Sequence, residues 1–289
     1  MPKILIALNT TWNLVNFRSG IIKALVKSGY EVVAVAPPDE YVSRLSPLGC
    51  RFVPLPMDNN GANPWRDLLL LWRFYRLLRH ERPDVYLGYT IKPNIFGSLA
   101  AHALRIPVIN NITGLGAAFI NNTWLTVLVR GLYRIALSRS AKVFFQNDDD
   151  RNMFVSSGYV VDKLTDRLPG SGIDLTNFVP SPSPSQSTIR FLLIGRILWD
   201  KGIGEFVDAA RLLKRRGTNA EFCLLGFLDA QNPAAISRKQ IDAWVEEGVV
   251  RYLGVSDDVR PEIASADCVV LPSYREGTPR ALLEAAAMA

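Results

Sequence analysis

The chain has 289 residues, 48% of them hydrophobic and 21% charged, with a formal net charge of +6 and a pI near 9.3. This composition excludes a disordered chain. No apolar run reaches the ~18 residues of a bilayer span, so a soluble or peripheral protein is expected. The basic balance favours an anionic partner, whether a membrane surface, a phosphate-bearing substrate or nucleic acid. The three cysteines, Cys50, Cys223 and Cys268, and the two histidines, His80 and His102, lack metal-ligand spacing. No metal site is expected. The thiols of Cys223 and Cys268, set in apolar runs, are expected to be buried and free in a reducing compartment.

Met1–Asn9 has too short an apolar run, and no following cleavage site, to be a signal peptide; it is read as the first strand, with Ile4–Leu8 as the strand candidate. Further strands are expected at Val32–Ala36, Arg51–Pro54, Val85–Gly88, Val108–Ile112 and Val143–Gln146. A second series is expected at Phe191–Ile194, Glu221–Leu225, Val250–Leu253 and Cys268–Leu271. These runs are apolar throughout, as parallel strands covered on both faces require. Helical patterns lie between them at Ser19–Lys27, Pro64–Arg79, Asn94–Leu104, Thr123–Ser138, Glu205–Arg216, Arg238–Glu247 and Ala281–Ala289. The alternation predicts an α/β fold of two Rossmann-like domains. The Pro/Ser run at 180–188 can form neither helix nor central strand. It is expected to link a first domain, 1–179, to a second, 189–289.

The loop Asn9–Gly20 after the first strand lacks the G-x-G-x-x-G pattern, which disfavours a dinucleotide dehydrogenase. Within it Asn16 and Arg18 could contact a phosphate, or Arg18 could be structural. Lys92-Pro93-Asn94 follows a strand and opens a helix, placing a cation either for an acceptor diphosphate or on an ordinary surface. Asp148-Asp149-Asp150 contains D-x-D, but its place at a helix start favours capping over a metal. Between Arg66 and Arg82 there are five arginines against Asp67 and Glu81. That basic, aromatic helix suits either a membrane surface or a buried helix with a solvated face. No nucleic-acid module accompanies it, so nucleic acid is not expected as a partner.

Two segments near the carboxyl end carry the chemistry. Gly195-Arg196-Ile197-Leu198-Trp199-Asp200-Lys201-Gly202 follows a strand and precedes a helix, putting two cations where a diphosphate would lie. The plain alternative is a solvated basic loop. About eighty residues later comes Glu276-Gly277-Thr278-Pro279-Arg280-Ala281-Leu282-Leu283-Glu284, a loop running into a helix with two carboxylates eight apart. Carboxylates accept hydrogen bonds from sugar hydroxyls.

The first segment is similar to the G-R-x4-K-G pattern, and the second to the E-x7-E pattern, of glycosyltransferase family 4. Those enzymes are retaining glycosyltransferases of GT-B architecture, which implies two Rossmann-like domains facing across a cleft. The resemblance implies that Arg196 and Lys201 bind the nucleotide-sugar diphosphate and stabilise the leaving group without a metal or cofactor. It implies that Glu276 holds donor-sugar hydroxyls and Glu284 the ribose, with Gly195 and the backbone at Gly277 and Thr278 completing the donor site. Arg196, Lys201 and Glu276 would be the catalytic set. Gly170–Phe178 resembles the family's interdomain segment, with Ser171 in place of the usual Asn. The family's Gly-Gly loop after the first strand is absent. Asn110-Asn111-Ile112-Thr113-Gly114-Leu115-Gly116 stands where many relatives have a His. Together with Thr90–Asn94, it resembles a subgroup acting on undecaprenyl-diphosphate-linked sugars, similar to bacterial N-acetylgalactosaminyltransferases.

The function so implied is transfer of a sugar, from a UDP-sugar by preference, to a lipid-linked or polysaccharide-precursor acceptor in cell-surface glycan synthesis. It would occur in the cytoplasm or peripherally on the inner membrane face. The alternative is a non-catalytic nucleotide-sugar-binding remnant, since a phosphorylase or epimerase would need a constellation not found here. Relatives continue beyond the second glutamate, and Ala289 has no capping glycine after it. The second domain is therefore expected to be incomplete and turnover by this chain low.

Overall fold

The computed structural model describes residues 1–58, 63–114, 124–182, 188–228, 232 and 234–288. Leu115, Gly116, Ala289 and the centre of the expected linker, 183–187, lie outside the described residues. The chain divides into two compact units, Met1–Ser171 and Gly172–Ala289.

The first unit runs β1 (Lys3–Ala7), α1 (Thr11–Lys27), β2 (Glu31–Ala36), β3 (Arg51–Pro54), α2 (Pro64–Glu81), β4 (Val85–Tyr89), α3 (Ser98–Ala103), β5 (Val108–Ile112), α4 (Trp124–Leu137), β6 (Lys142–Phe145), α5 (Asp148–Ser156) and β7 (Thr165–Arg167). Its strands form one sheet in the order β3-β2-β1-β4-β5-β6-β7, parallel throughout, with Leu5 opposite both Val33 and Tyr86. Alternate residues of a strand face opposite sides, and here both sides are dry. Leu5, Ala7, Val33 and Val35 belong to one core cluster, and Ile4, Ile6, Val32 and Ala34 to another. That accounts for the unbroken apolar runs.

Three local features depart from the sequence reading. Helix α1 begins at Thr11, eight residues before the expected start, because the Thr10 side chain caps it by accepting from Asn13 N at 3.0 Å. The expected loop around Asn16 and Arg18 is thus helical. Arg18 is 6% exposed; it donates to Ser171 Oγ at 2.7 Å and lies 4.2 Å from the Tyr89 ring centre. Asn16 donates back to Trp12 O. Both therefore hold the fold together. Second, β7 is polar and lies at a sheet edge, with two of its three residues exposed. Such a strand has no apolar signal to read. Third, Pro93–Gly97 is a π-helical turn ahead of α3. A Cβ on Gly97 would come within 1.8 Å of the Tyr86 hydroxyl, which itself donates to Pro93 O at 2.9 Å.

Asn147 caps α5 through Asp150 N, leaving Asp148, Asp149 and Asp150 in its first turn. Lys92 is paired with Asp67 of α2 at 2.7 Å, with both side chains mostly covered. It is neither a bare surface lysine nor an unengaged cation.

The second unit runs β8 (Ile189–Ile194), α6 (Ile203–Arg215), β9 (Ala220–Leu225), α7 (Arg238–Glu246), β10 (Arg251–Tyr252), α8 (Arg260–Ala264), β11 (Cys268–Val269) and α9 (Arg280–Met288). Its parallel sheet has the order β10-β9-β8-β11. Leu193, Phe222 and Leu224 pack against α6 and α7 on one face. Leu192, Cys223 and Leu225 pack against Ile263 and Met288 on the other. Cys223 is buried as expected, and burial pushes its thiol up to about 11. Cys268, expected to be buried, is exposed, because β11 lies at the edge of the sheet with one flank open.

Residues 172–179, assigned by sequence to the first domain, belong to the second unit. Phe178 packs on the Leu192 cluster, and Ser181 N donates to Met288 O at 3.1 Å. The division falls inside the Gly170–Phe178 segment, where Gly170 and Gly172 both have positive φ.

Candidate functional site

In the second sheet β8 has β9 on one side and β11 on the other, so strand order reverses between β8 and β11. The carboxyl ends of strands at such a reversal are where parallel sheets bind ligands. Both motif loops leave from this point.

The loop after β8 is held from below. Gly195 N donates to Leu225 O at 3.0 Å, and Ile197 N to Phe227 O at 3.1 Å. Gly226 has φ 152°, and a Cβ there would lie 1.7 Å from Gly195 O, so only glycine permits this approach. Ile197 and Leu198 are fully buried, which leaves Arg196 exposed between the strand end and this apolar plug. Lys201 precedes Gly202, the first residue of the α6 cap. Gly202 has φ 72° and offers no side-chain cap to the helix. Glu205 sits in the first turn of α6 and meets its own backbone N–H, so its carboxylate partly answers the positive end of the helix, and the N–H groups before it are the ones that could turn to an anion.

The loop after β11 is fastened to the first loop. Ser273 Oγ and Tyr274 N both donate to Asp200 O, at 3.2 and 3.1 Å, and the Tyr274 hydroxyl donates to Glu205 of α6. A Cβ on Gly202 would sit 2.1 Å from Pro272 O, so the contact between the loops also depends on glycine.

This brace brings together residues 75 positions apart: Lys201 Nζ donates to Glu276 Oε1 at 2.6 Å. The side chains are 16% and 27% exposed, so the pair is half-buried with one side open. Gly277 and Thr278 are half-buried between Glu276 and α9. Glu284, one turn into α9, is 8% exposed. Arg280 Nε donates to its Oε1 at 2.6 Å. Burial raises the Glu284 pKa above the usual carboxylate range, and the Arg280 charge and hydrogen bond oppose that rise. The site thus offers two cations and two carboxylates, with exposed Arg196 at its edge. Cations and helix N–H groups can hold a diphosphate, and carboxylates can accept from hydroxyls.

Sequence reasoning missed Arg280, whose i,i+4 spacing to Glu284 was the available signal. It also missed Gly202 and Gly226, whose requirement comes from contacts with Pro272 and Gly195 that no local pattern encodes.

Residues 16–170 match the Glycosyl transferase 4-like domain family, and residues 188–289 match the Glycosyl transferases group 1 family. The chain is 30% identical over 292 residues to N,N'-diacetylbacillosaminyl-diphospho-undecaprenol alpha-1,3-N-acetylgalactosaminyltransferase of Campylobacter jejuni, covering 95% of this chain and 75% of that protein. It is 23% identical over 233 residues to UDP-Gal:alpha-D-GlcNAc-diphosphoundecaprenol alpha-1,3-galactosyltransferase of Escherichia coli, covering 76% of this chain and 59% of the relative. A crystal structure from Anabaena, solved with UDP and glucose, superposes with a TM-score of 0.74 at 17% identity, covering 99% of this chain and 78% of that one. At that identity the likeness speaks for the GT-B fold. Both units match glycosyltransferase domains and a full-span relative matches the two together: the chain belongs to the glycosyltransferases that pair a 4-like domain with a group 1 domain.

Proposed function

We propose that the second unit holds a nucleoside diphosphate sugar, UDP-linked by preference, and that the enzyme transfers the sugar with retention of configuration to an undecaprenyl-diphosphate-linked acceptor. The observation that carries this reading is the Lys201–Glu276 pair, joined at 2.6 Å across two loops at the reversal of strand order. Lys201 has three N–H donors, so it can keep Glu276 while two donors turn to phosphate. Arg196 and the α6 N-terminus face the same anion. As the glycosidic bond breaks, charge builds on the departing diphosphate, and these fixed cations stabilise it without a metal. Glu276 accepts from sugar hydroxyls and Glu284 from the ribose, with Gly195, Gly277 and Thr278 shaping the walls. Two of the relatives are named for undecaprenol-linked substrates, which supports the acceptor class.

A membrane-bound acceptor calls for a membrane-facing surface, and α2 supplies one in the first unit. Trp65, Leu68, Leu69 and Trp72, spaced along one helical stripe, are between 43% and 81% exposed. Both acids of the helix are engaged elsewhere, Asp67 with Lys92 and Glu81 with Arg51 and Lys3. Arg76 lies 4.8 Å from the Trp72 ring centre, and Arg79 and His80 line the same shallow pocket. We assign this stripe to the anionic cytoplasmic face of the cell membrane.

Calorimetry with UDP in EDTA tests the donor site. The parent binds, and Lys201→Glu or Arg196→Glu lowers affinity by about a hundredfold or more, since a carboxylate then meets phosphate in a half-dry site. Unchanged affinity in both variants, or binding by the parent only after magnesium is added, overturns the assignment.

A further inference from the structure

The Arg280–Glu284 pair is oriented against the interests of its helix. Arg280 is the first residue of α9, at the positive end of the helix dipole, and no acid occupies that first turn. A cation there is unfavourable, and an i,i+4 pair with the acid on the carboxyl-terminal side is the weaker orientation. The pair is nonetheless closely made, at 2.6 Å with side chains 24% and 10% exposed. A pair set the wrong way round for helix stability has another use. Glu284 carries this one hydrogen bond among the described residues, through Oε1, so Oε2 and a lone pair on Oε1 remain to accept.

We propose that Arg280 is a positioning residue for nucleotide binding, holding the Glu284 carboxylate ionised and oriented so that its remaining lone pairs accept the two ribose hydroxyls. The inference rests on the donor-site reading above and adds a residue to it. Lys201 reaches Glu276 from another loop and is shared with the diphosphate. Arg280 shares a helix turn with Glu284 and stays with it. Without this partner a carboxyl in so dry a place takes up a proton. A protonated acid turns one of its two acceptor oxygens into a donor and no longer fits a pair of hydroxyls.

The charged surroundings of Glu284 are simple. Helix α9 packs on α8 and β11, and its Met288 also meets Leu192 of β8 and Cys223 and Leu225 of β9. The titratable groups of these elements are Arg260, bound to Asp258, Glu262, close to Arg190, Arg190 itself, paired with Glu221, and the Cys223 and Cys268 thiols. Among the described residues the charge that acts on Glu284 is Arg280, and it opposes the effect of burial.

The test measures UDP affinity of the full chain against pH for the parent, Arg280→Met, Arg280→Lys and Glu284→Gln, alongside the carboxyl titration of Glu284 by carbon NMR in the unliganded protein. A ligand that needs the ionised form loses about tenfold in affinity for each pH unit below the carboxyl pKa. In Arg280→Met the acid limb of the affinity profile and the NMR midpoint both move to higher pH, while Arg280→Lys restores most of the parent profile. Glu284→Gln has no such limb and shows the titration of the nucleotide's own phosphate alone. An NMR midpoint unmoved by Arg280→Met overturns the proposal, as does an affinity profile that keeps the parent's acid limb. A parent that shows the NMR behaviour but binds no UDP at any pH overturns the donor-site reading, and with it the role of Arg280 toward a nucleotide.

Discussion

Glu81 in the first unit and Glu284 in the second are both carboxylates buried on helices, at 8% exposure each, yet their surroundings differ. Arg51 grips Glu81 with two hydrogen bonds, one to each oxygen, and Lys3 adds a contact at 3.4 Å. The Arg51 hydrogen bond holds the Glu81 carboxyl below its ordinary range. Glu284 receives a single bond, and burial takes it the other way. A buried charge whose lone pairs are filled by neighbours is a structural fastener. One left with open lone pairs can still accept further hydrogen bonds. The same contrast runs through the backbone. Gly20 inside α1 has nothing within 4 Å of a hypothetical Cβ, whereas Gly202 and Gly226 in the second unit are pressed against carbonyl groups at 2.1 and 1.7 Å. In the first unit Gly88 and Gly97 press on the side chains of Asn94 and Tyr86, whereas Gly202 and Gly226 press on backbone carbonyls beside the candidate site.

The largest effect that could break this comparison is at those glycines. Gly226→Ala and Gly202→Ala each combine a positive φ with a backbone clash, and each is expected to cost about 2–4 kcal/mol of stability. Gly20→Ala is expected to gain about 0.5–1 kcal/mol, as for an exposed helical position. Denaturant unfolding of the three variants decides it, and equal tolerance at all three positions would remove the contrast between the units.

The two glutamates give the next test, and pH fixes its sign. Glu81 has a lowered pKa, so its stabilisation is present above the ordinary carboxylate range and lost as pH falls through the lowered value. Glu81→Gln is expected to cost about 1–3 kcal/mol at pH 7, and the difference from the parent should vanish in acid. Glu284 has a raised pKa, so its contribution is greatest in acid and lost as pH rises through the raised value. Glu284→Gln is expected to leave the melting temperature at pH 7.5 no lower than the parent's, while UDP binding weakens but stays measurable. Thermal melts at both pH values separate the cases; a like loss of stability in both variants at pH 7.5 would mean that Glu284 is structural too.

The smallest effect concerns the outer face of the first unit. Each of Arg76 and Arg79 is expected to add about 1 kcal/mol to binding of vesicles rich in anionic lipid. Cosedimentation should fall in Arg76→Glu/Arg79→Glu and fall further on adding salt, because exposed charges are screened beyond about 10 Å at 0.1 M salt. Trp65→Ala/Trp72→Ala should weaken binding at high salt as well. A folded arginine variant that sediments like the parent would remove the membrane reading of this helix.

Much of this was readable from the sequence because the information is local. The apolar β-branched runs specify buried parallel strands wherever helices cover both faces, and ten of the strands were placed that way. The Gly-Arg…Lys-Gly and Glu…Glu spacings put charged groups just past strand ends, which is where a parallel sheet presents them. Other features were settled by contacts between residues far apart in the chain. Thr10 could be recognised as a cap only once α1 packed with Asp39 holding the N–H groups of Thr11 and Trp12. Arg18 became a fastener because Tyr89 and Ser171 arrive from elsewhere in the first unit. Arg66 of α2 is paired with Asp58, while the acids of the helix are claimed by Lys3, Arg51 and Lys92 and so do not neutralise its remaining arginines. Cys268 is exposed because its strand lies at an edge, and Lys201 meets Glu276 because Gly202 lets two loops touch. Spacing along the chain fixes which groups leave each strand end. Which of them are neutralised, and which are left with capacity for a ligand, depends on partners that only the folded arrangement brings within hydrogen-bonding distance.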